Sequence, residues 1–475
     1  MTNRSEGAAV NTSPGTAEAV AELCAALPQV VSTDPAVRAA ASHDRSHHES
    51  APPLAVITPT DTEQVSTALR ICHRHRLPVV TRGSATGLEG GSNAFDGSVV
   101  LDLRAMDRIV AIHAADFDAV VQPGVMKSSL NAALDPHGLF FPGGPGVDAS
   151  MGGMISTRAS GTNAVRYGTM REQVLALTAV LADGRIIHTG TRARKSAAGY
   201  DLTHLLVGAE GTLAVITEAT VKVYGKPDAT AAMICSLDSI SDATAVVQQA
   251  LTREVPLARV ELIDDITMGA INAWTGSEFV VAPTVIFEVT GSRLAVQENV
   301  ELLGDLARSV GATGIRIATD PTEVAEIWSA RAQVLPSTAA LVPDARTWST
   351  DVCVPISRLA ECIALTQADV AETGILAPIV GHVGDGNFHL AIVLPPDDPE
   401  ARERAGLVNE RLIDRALSMG GTCTGEHGIG VGKVAALARE HHDALPVMQL
   451  IKDALDPRHI LNPGVILTDP TTDRR

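Results

Sequence analysis

Two spacings of apolar residues alternate along this chain, and they carry most of what can be read of its architecture. Within residues 61–76, Val65, Ala68, Leu69 and Cys72 recur on one face of a helix. Thr60 stands at the capping position, and Glu63 three residues on would complete a capping box. Residues 17–27 and 127–134 predict two further helices. Short apolar runs bounded by turn residues, at 77–80, 99–103, 109–113, 119–122 and 213–223, predict strands. Residues 1–16, small and polar, predict a disordered tail.

Glycine punctuates the first half. The run at 77–80 passes straight into Thr81-Arg-Gly-Ser-Ala-Thr-Gly-Leu-Glu-Gly-Gly91, a second glycine-dense region spans 141–168, and Gly208-Ala-Glu-Gly-Thr212 precedes the run at 213–223. Glycines after strands let backbone amides approach a phosphate closely. Gly83, Gly87 and Gly90 do not have the spacing of a Rossmann turn and open no helix. Gly432-Lys433 is not a P-loop, because His427 stands where the first glycine belongs and Val434 replaces the hydroxyl residue. Clusters that each follow a strand predict one long ligand lying across several loops. Near residue 228 this style stops. From 229 to about 420 helical and strand patterns alternate with few glycines, and 421–475 returns to Gly/Pro-rich text. The expected organisation is therefore tail 1–16, cofactor domain 17–228, substrate domain 229–420 and a closing segment 421–475.

Composition narrows the chemistry. At 475 residues, with a net charge of −18, the chain repels phosphate backbones, and aromatics at 3% are too few for base stacking, so nucleic-acid binding is excluded. An anionic substrate needs a local basic pocket. The 6 cysteines are scattered without a C-x-x-C pair, which fits a reducing compartment and gives no iron–sulfur framework. No apolar signal core and no run of ~18 apolar residues occurs, so no transmembrane segment is expected. The expected location is the cytoplasm, with any contact to the inner membrane face peripheral.

The densest chemistry lies in His382-Val-Gly-Asp-Gly-Asn-Phe-His389 and in Thr422-Cys-Thr-Gly-Glu-His-Gly-Ile-Gly430. Asp385-Gly386 predicts a two-residue hairpin turn, which would set His382 opposite His389, with Cβ atoms roughly 5 Å apart. One cation could then hold both rings. Two histidines and a glutamate, here Glu426, form a ligand set that catalytic zinc sites use while keeping a position open. A histidine in a strand is more often a satisfied residue than a ligand, and this chain has 15 of them.

These motifs together carry a family resemblance. Arg82-Gly-Ser-Ala-Thr-Gly-Leu-Glu-Gly-Gly91, Pro142, Asp148-Ala-Ser-Met-Gly-Gly153 and Ser160-Gly-Thr-Asn-Ala-Val-Arg-Tyr-Gly-Thr169 resemble the flavin loops of FAD proteins of vanillyl-alcohol-oxidase type. Lys195-Ser-Ala-Ala-Gly-Tyr200, Gly208 to Thr212, Ser349-Thr-Asp-Val-Cys-Val-Pro355 and the two histidine motifs narrow this to the mitochondrial-type D-lactate dehydrogenases. These sit within the wider group of D-2-hydroxy-acid dehydrogenases and glycolate oxidase flavin subunits. The resemblance implies an α+β fold: a two-lobed FAD-binding domain of vanillyl-alcohol-oxidase (PCMH) type, an antiparallel-sheet cap domain and a C-terminal segment returning to the first domain. It places Arg82, Gly83, Ser84, Ala85, Thr86, Gly87 and Leu88 on the FAD pyrophosphate. Pro142, Asp148, Ala149, Ser150, Gly152, Gly153, Met154, Thr157, Ser160 and Gly161 would follow along the flavin, Glu210, Gly211 and Ile216 would meet the adenine half, and Asn462 would return to the flavin. The FAD is expected to be non-covalent.

The same resemblance implies a mechanism. Arg331 would clamp the substrate carboxylate, although its spacing alone reads as a surface residue of an amphipathic helix. His382, His389 and Glu426 would hold a divalent metal, zinc first and manganese second. His427 would remove the hydroxyl proton, and hydride would pass to FAD. Electrons would leave to an external acceptor, namely a quinone, a cytochrome or an electron-transfer protein; a homodimer is left open. Ser349 and Ala391 stand where the D-2-hydroxyglutarate branch has Lys and Asn, which favours D-lactate or another small monocarboxylic 2-hydroxy acid. Three alternatives stand beside this: a glycolate oxidase-type subunit of a larger complex, a D-2-hydroxyglutarate dehydrogenase and a metal-dependent hydrolase.

Overall fold

The computed structural model describes residues 14–468. Helix Pro14–Ala26 begins inside the expected tail, so residues 14–16 are helical, and the rest of that tail lies outside the described residues. Helix Thr62–His75 buries Val65, Ala68, Leu69 and Cys72 as the stripe requires. Its cap is Asp61 rather than Thr60. The Asp61 carboxylate accepts from Gln64 N at 2.9 Å, and it is Gln64, not Glu63, whose side chain reaches back, to Thr60 N at 2.9 Å. Both Thr60 and Asp61 carry acceptors, and the extended backbone of Asp61 (φ −150) aims its carboxylate along the first turn.

Both helices pack on a four-stranded sheet ordered Val31–Ser32, Val56–Ile57, Val99–Asp102, Val79–Arg82, parallel across the last three. A five-stranded antiparallel sheet follows, ordered Ile109–His113, Asp118–Val121, Val215–Lys222, Val174–Val180, Ile186–Gly190. Each sheet has its own apolar core, so the first part of the chain is two lobes with the glycine loops between them.

The chain then builds a sheet of eight antiparallel strands, the first of them Ala229–Ser236. The order is Thr313–Ala318, Ala229–Ser236, Thr284–Gly291, Leu257–Ile263, Ile379–His382, Asn387–Leu394, Arg346–Ser349, with Val352–Cys353 also on Asn387–Leu394. Helices Ile240–Thr252, Arg293–Ser309, Leu359–Thr373 and Ala401–Ser418 cover one face. Asp265–Thr275 and Pro321–Ala332 cover the other. Burial on both faces is why Thr284–Gly291 does not alternate: Val285, Ile286, Phe287 and Val289 are all buried, and the buried Glu288 accepts from Arg259. The last segment ties the parts together: Thr422 bridges to Cys353, and Leu461 bridges to Val79 at the edge of the first sheet. Among the described residues no helix is long and apolar enough to cross a membrane.

Candidate active site

The histidine hairpin is where sequence and structure differ most usefully. The register is Val380↔His389, Gly381↔Phe388 and His382↔Asn387. The turn therefore takes four residues, 383–386, closed by Asp385 N donating to His382 O at 3.0 Å, instead of the expected two. Tertiary packing selects the longer turn. Val383 is buried in the large core, and the carbonyl of Gly386 (φ +80) accepts from Val354 N of the neighbouring segment at 3.0 Å. His382 is thus not directly opposite His389. The pairing moves by two positions, however, and strand side chains alternate with period two, so both rings stay on one face. Their centroids are 5.5 Å apart.

Glu426 arrives from the C-terminal segment and completes the corner. Its Oε1 lies 3.1 Å from His382 Nε2 and 3.1 Å from His389 Nε2. Both rings have already committed Nδ1, His382 to the Glu261 carboxylate and His389 to the Thr350 carbonyl at 2.9 Å. A neutral imidazole donating through Nδ1 presents a lone pair at Nε2. Two lone pairs and a carboxylate oxygen converge on one point, which repels unless a positive charge sits there. Without a metal that charge is a proton. Burial opposes it, but Glu261 and Glu426 push the His382 pKa up to about 10. Among the described residues the three side chains form a group whose ligand atoms lie within 4.8 Å of one another. The donor set fits a divalent cation with second-sphere carboxylate and carbonyl supports. Asp351, His389 and His427 form a second such group, but the Asp351 carboxylate is occupied by other donors.

Two residues that the sequence reading did not single out organise this corner. Glu261, with no exposed surface, accepts from Arg331 Nε at 2.7 Å on one oxygen and faces His382 Nδ1 with the other. Asp351, also enclosed, accepts from Glu426 N and His427 N at 3.0 Å each and from Thr424 Oγ1 at 2.7 Å through Oδ2. Burial opposes ionisation of Asp351, yet His427, Lys433 and His389 hold its carboxyl far below the ordinary range. The available signal was a charge inside an apolar strand: Glu261 interrupts Leu257–Ile263, and a buried charge requires partners.

His427 stacks on His389 at 5.0 Å with rings 7° from parallel, and its Nδ1 is buried with no hydrogen-bond partner. Burial lowers its pKa, with Asp351 opposing, so the ring is neutral near pH 7. Arg331 reaches the same space from helix Pro321–Ala332; Glu261 takes its Nε, and among the described residues no other partner holds its guanidinium. A cavity of about 640 Å³ runs from this corner past all three glycine clusters. Ser349 and Ala391, direct cross-strand partners, line it beside the histidines.

Residues 226–466 match the family of FAD linked oxidases, C-terminal domain, and residues 53–190 match the FAD binding domain family. A probable mitochondrial D-lactate dehydrogenase of Danio rerio is 47% identical over 441 residues, covering 92% of this chain and 89% of the relative. The chain belongs to the FAD-linked oxidase family. It is an oxidoreductase that binds FAD. A glycolate oxidase subunit of Bacillus subtilis (strain 168) is 33% identical over 428 residues, covering 89% and 91% of the two chains. In fold, p-cresol methylhydroxylase superposes with a TM-score of 0.79 at 18% identity, covering 98% of this chain and 99% of the other. The architecture is that two-lobed FAD fold with a cap.

The glycine loops fit the family's cofactor. A Cβ on Gly83 would lie 2.3 Å from Ser150 Oγ, so the first two loops touch without room for a side chain. Arg82, buried, spends one terminal nitrogen on His43 O at 2.9 Å and keeps Nε unpartnered. That donor, beside a run of loop amides, suits a phosphate. Arg82, Gly83, Ser84, Ala85, Thr86, Gly87, Leu88, Ala149, Gly152, Gly153, Met154, Thr157, Ser160, Gly161, Glu210, Gly211 and Ile216 all line the cavity. Four of the expected contacts stand behind its wall. Pro142 O accepts from Asn163 Nδ2, and Asp148 caps helix Lys127–Leu134 through Ser128 N at 3.0 Å. Ser150 Oγ accepts from Ser84 N at 3.0 Å, and Asn462 Nδ2 ties Gly91 O to Glu210 O at 2.8 Å each. These residues shape loops. The carboxylate of Glu210 likewise accepts from Ile429 N and Gly430 N, joining the flavin lobes to the segment that carries Glu426.

Proposed function

We propose that this protein oxidises D-lactate, or a related monocarboxylic D-2-hydroxy acid, to the 2-keto acid, with non-covalent FAD and a divalent cation. Zinc is the first choice and manganese the second. The observation that carries the reading is the convergence of His382 Nε2, His389 Nε2 and Glu426 Oε1 beside Arg331 and His427 at one end of a cavity whose other walls are the flavin loops. Non-covalent attachment is supported by the lining itself: among the described residues its histidines are His382, His389 and His427, all engaged in this corner, and no Cys or Tyr lines it.

When bound, FAD supplies the hydride acceptor and the cation supplies Lewis acidity that lowers the pKa of the substrate hydroxyl. The chain's own residues do the rest. Arg331, its Nε fixed by Glu261, offers the other guanidinium nitrogens to the substrate carboxylate. His427 takes the hydroxyl proton at Nε2, the ring nitrogen that is not enclosed, and Asp351 stabilises the imidazolium that results. Ser349 and Ala391, small and uncharged, give a second substrate carboxylate no partner, which favours lactate over 2-hydroxyglutarate. Electrons then leave to an external acceptor; relatives from Arabidopsis thaliana and Saccharomyces cerevisiae carry cytochrome in their names. The 33% identity to a glycolate oxidase subunit supports a second reading, a flavin subunit that turns over only inside a complex.

The test is anaerobic stopped-flow on the yellow protein. D-lactate should bleach the flavin in the isolated chain, L-lactate and D-2-hydroxyglutarate should do so far more slowly, and chelation should slow the bleaching while the yellow colour stays with the protein. Failure of every 2-hydroxy acid to reduce the flavin would overturn the reading. Reduction without turnover on any acceptor would favour the complex.

A further inference from the structure

Lys433, set aside in the sequence because it completes no phosphate loop, is one of the most enclosed cations in the molecule, with 4% of its side chain exposed. Its Nζ lies 3.3 Å from Glu89 Oε1, at the end of the first flavin loop. The same nitrogen donates to Asp351 O at 3.0 Å, in the cap part of the chain, and stands 3.7 Å from Asp351 Oδ2. An unsatisfied buried ammonium is strongly unfavourable, so this placement is built.

The junction it joins is tight throughout. The Glu89 carbonyl accepts from Val431 N at 2.9 Å and Gly432 N at 3.3 Å. A Cβ on Gly432 would lie 2.5 Å from Glu89 Oε2, and one on Gly425 would lie 2.2 Å from Asn387 Nδ2. The segment 425–433, which carries Glu426 and His427, is therefore gripped from the cap side by Asp351 and Asn387 and from the flavin side by Glu89 and Glu210. Lys433 is the side chain that touches both grips.

We propose that Lys433 is a positioning residue, a buried ammonium between Glu89 and Asp351 that sets Glu426 and His427 relative to the flavin loop. Lys433 does not line the cavity; it acts through Asp351, whose carboxylate holds the backbone amides of Glu426 and His427. This rests on the assignment of His382, His389 and Glu426 as a cation site. The consequence is coupling: occupation of the flavin loop and occupation of the cation site report on each other through this side chain, and such coupling is reciprocal.

The experiment compares FAD-loaded wild type, Lys433→Met, Glu89→Gln and the double variant. Zn²⁺ and Mn²⁺ affinity is read by calorimetry after chelation, and FAD retention by the absorbance that stays with the protein. Flavin reduction by D-lactate is followed as rate constant and KM separately. Lys433→Met should keep FAD, lose about 10- to 100-fold in metal affinity and in reduction rate, and leave KM within about twofold, because the Arg331–Glu261 pair is untouched. Glu89→Gln should show a loss of the same kind, and the double variant should be no worse than the poorer single, since residues acting as a unit are not additive. Wild-type metal affinity and reduction rate in Lys433→Met, or losses that multiply in the double variant, would overturn the proposal. If Lys433→Met cannot retain FAD, Glu89→Gln decides alone, and unchanged metal affinity there overturns it equally. Should wild type bind the metal but no 2-hydroxy acid reduce the flavin, the substrate assignment fails while the metal-affinity comparison still decides the role of Lys433. Absence of metal binding by wild type removes the proposal together with the cation site.

Discussion

At the scale of single residues, the corner is an exercise in satisfying buried charge. His427 has a backbone amide fixed by Asp351, a ring stacked on His389 and an enclosed Nδ1 with no partner, so Nε2 is the nitrogen left for proton exchange. His427→Ala should lower the rate of flavin reduction by about 10²- to 10⁴-fold while the protein stays yellow; stopped-flow traces beside a flavin-to-protein absorbance ratio check both halves. Glu261 serves two donors at once, Arg331 Nε and His382 Nδ1. Glu261→Gln leaves one acceptor oxygen for the two. Metal affinity, read by calorimetry, should fall about 10- to 100-fold, and KM for D-lactate should rise because Arg331 loses its anchor. An unchanged KM would separate Arg331 from substrate binding.

At the scale of elements, the loops decide more than the strands do. Gly83 sits where Ser150 Oγ already fills the space a side chain would need. Gly83→Val should therefore leave a folded chain that elutes without flavin absorbance, whereas a yellow Gly83→Val protein would move the FAD site elsewhere. Gly386 has φ +80, and a Cβ there would lie 2.0 Å from Val354 O. Gly386→Ala should cost more than about 1 kcal/mol of stability in urea titration, and its effect should extend to metal affinity because the turn sets where His382 stands. A Gly386→Ala protein of wild-type stability would mean that the turn relaxes at little cost.

For the whole molecule, the main issue is how separately built parts meet. Glu210 bridges the flavin lobes to the segment that carries Glu426 through two backbone amides, and burial raises its pKa from 4.5 to about 7. A carboxyl with a raised folded pKa contributes stability that is whole below the unfolded value and is lost as pH rises through the folded one. The melting temperature of wild type should accordingly fall, relative to Glu210→Gln, between about pH 4.5 and 7, and then run parallel to it above that. Parallel curves across the whole range would show that folding leaves the Glu210 pKa unshifted. Charge also works at this scale: the chain is −18 overall, yet Arg45, Arg82, Arg259 and Arg331 all line the one cavity. Asp44, Glu89, Glu210 and Glu426 line it too, so an anionic substrate and a pyrophosphate would be held by individually placed guanidinium groups rather than by a net positive pocket.

Read alone, the sequence determined the local facts: the stripe of helix Thr62–His75, the glycine loops at the ends of strands, and the two histidine motifs, because spacing and glycine content are local properties. It also placed His382 and His389 on one face, for parity survives a shift of two. The tertiary structure alone decided the length of the turn at 383–386, since burial of Val383 and the bond from Val354 N come from distant strands. Only the fold, likewise, brought Glu261, Asp351 and Lys433 to the corner and turned Asp148, Ser150 and Asn462 away from the cavity to brace its loops. Those roles are set by which partners remain for a buried polar group once every segment has packed, and no spacing along the chain encodes that.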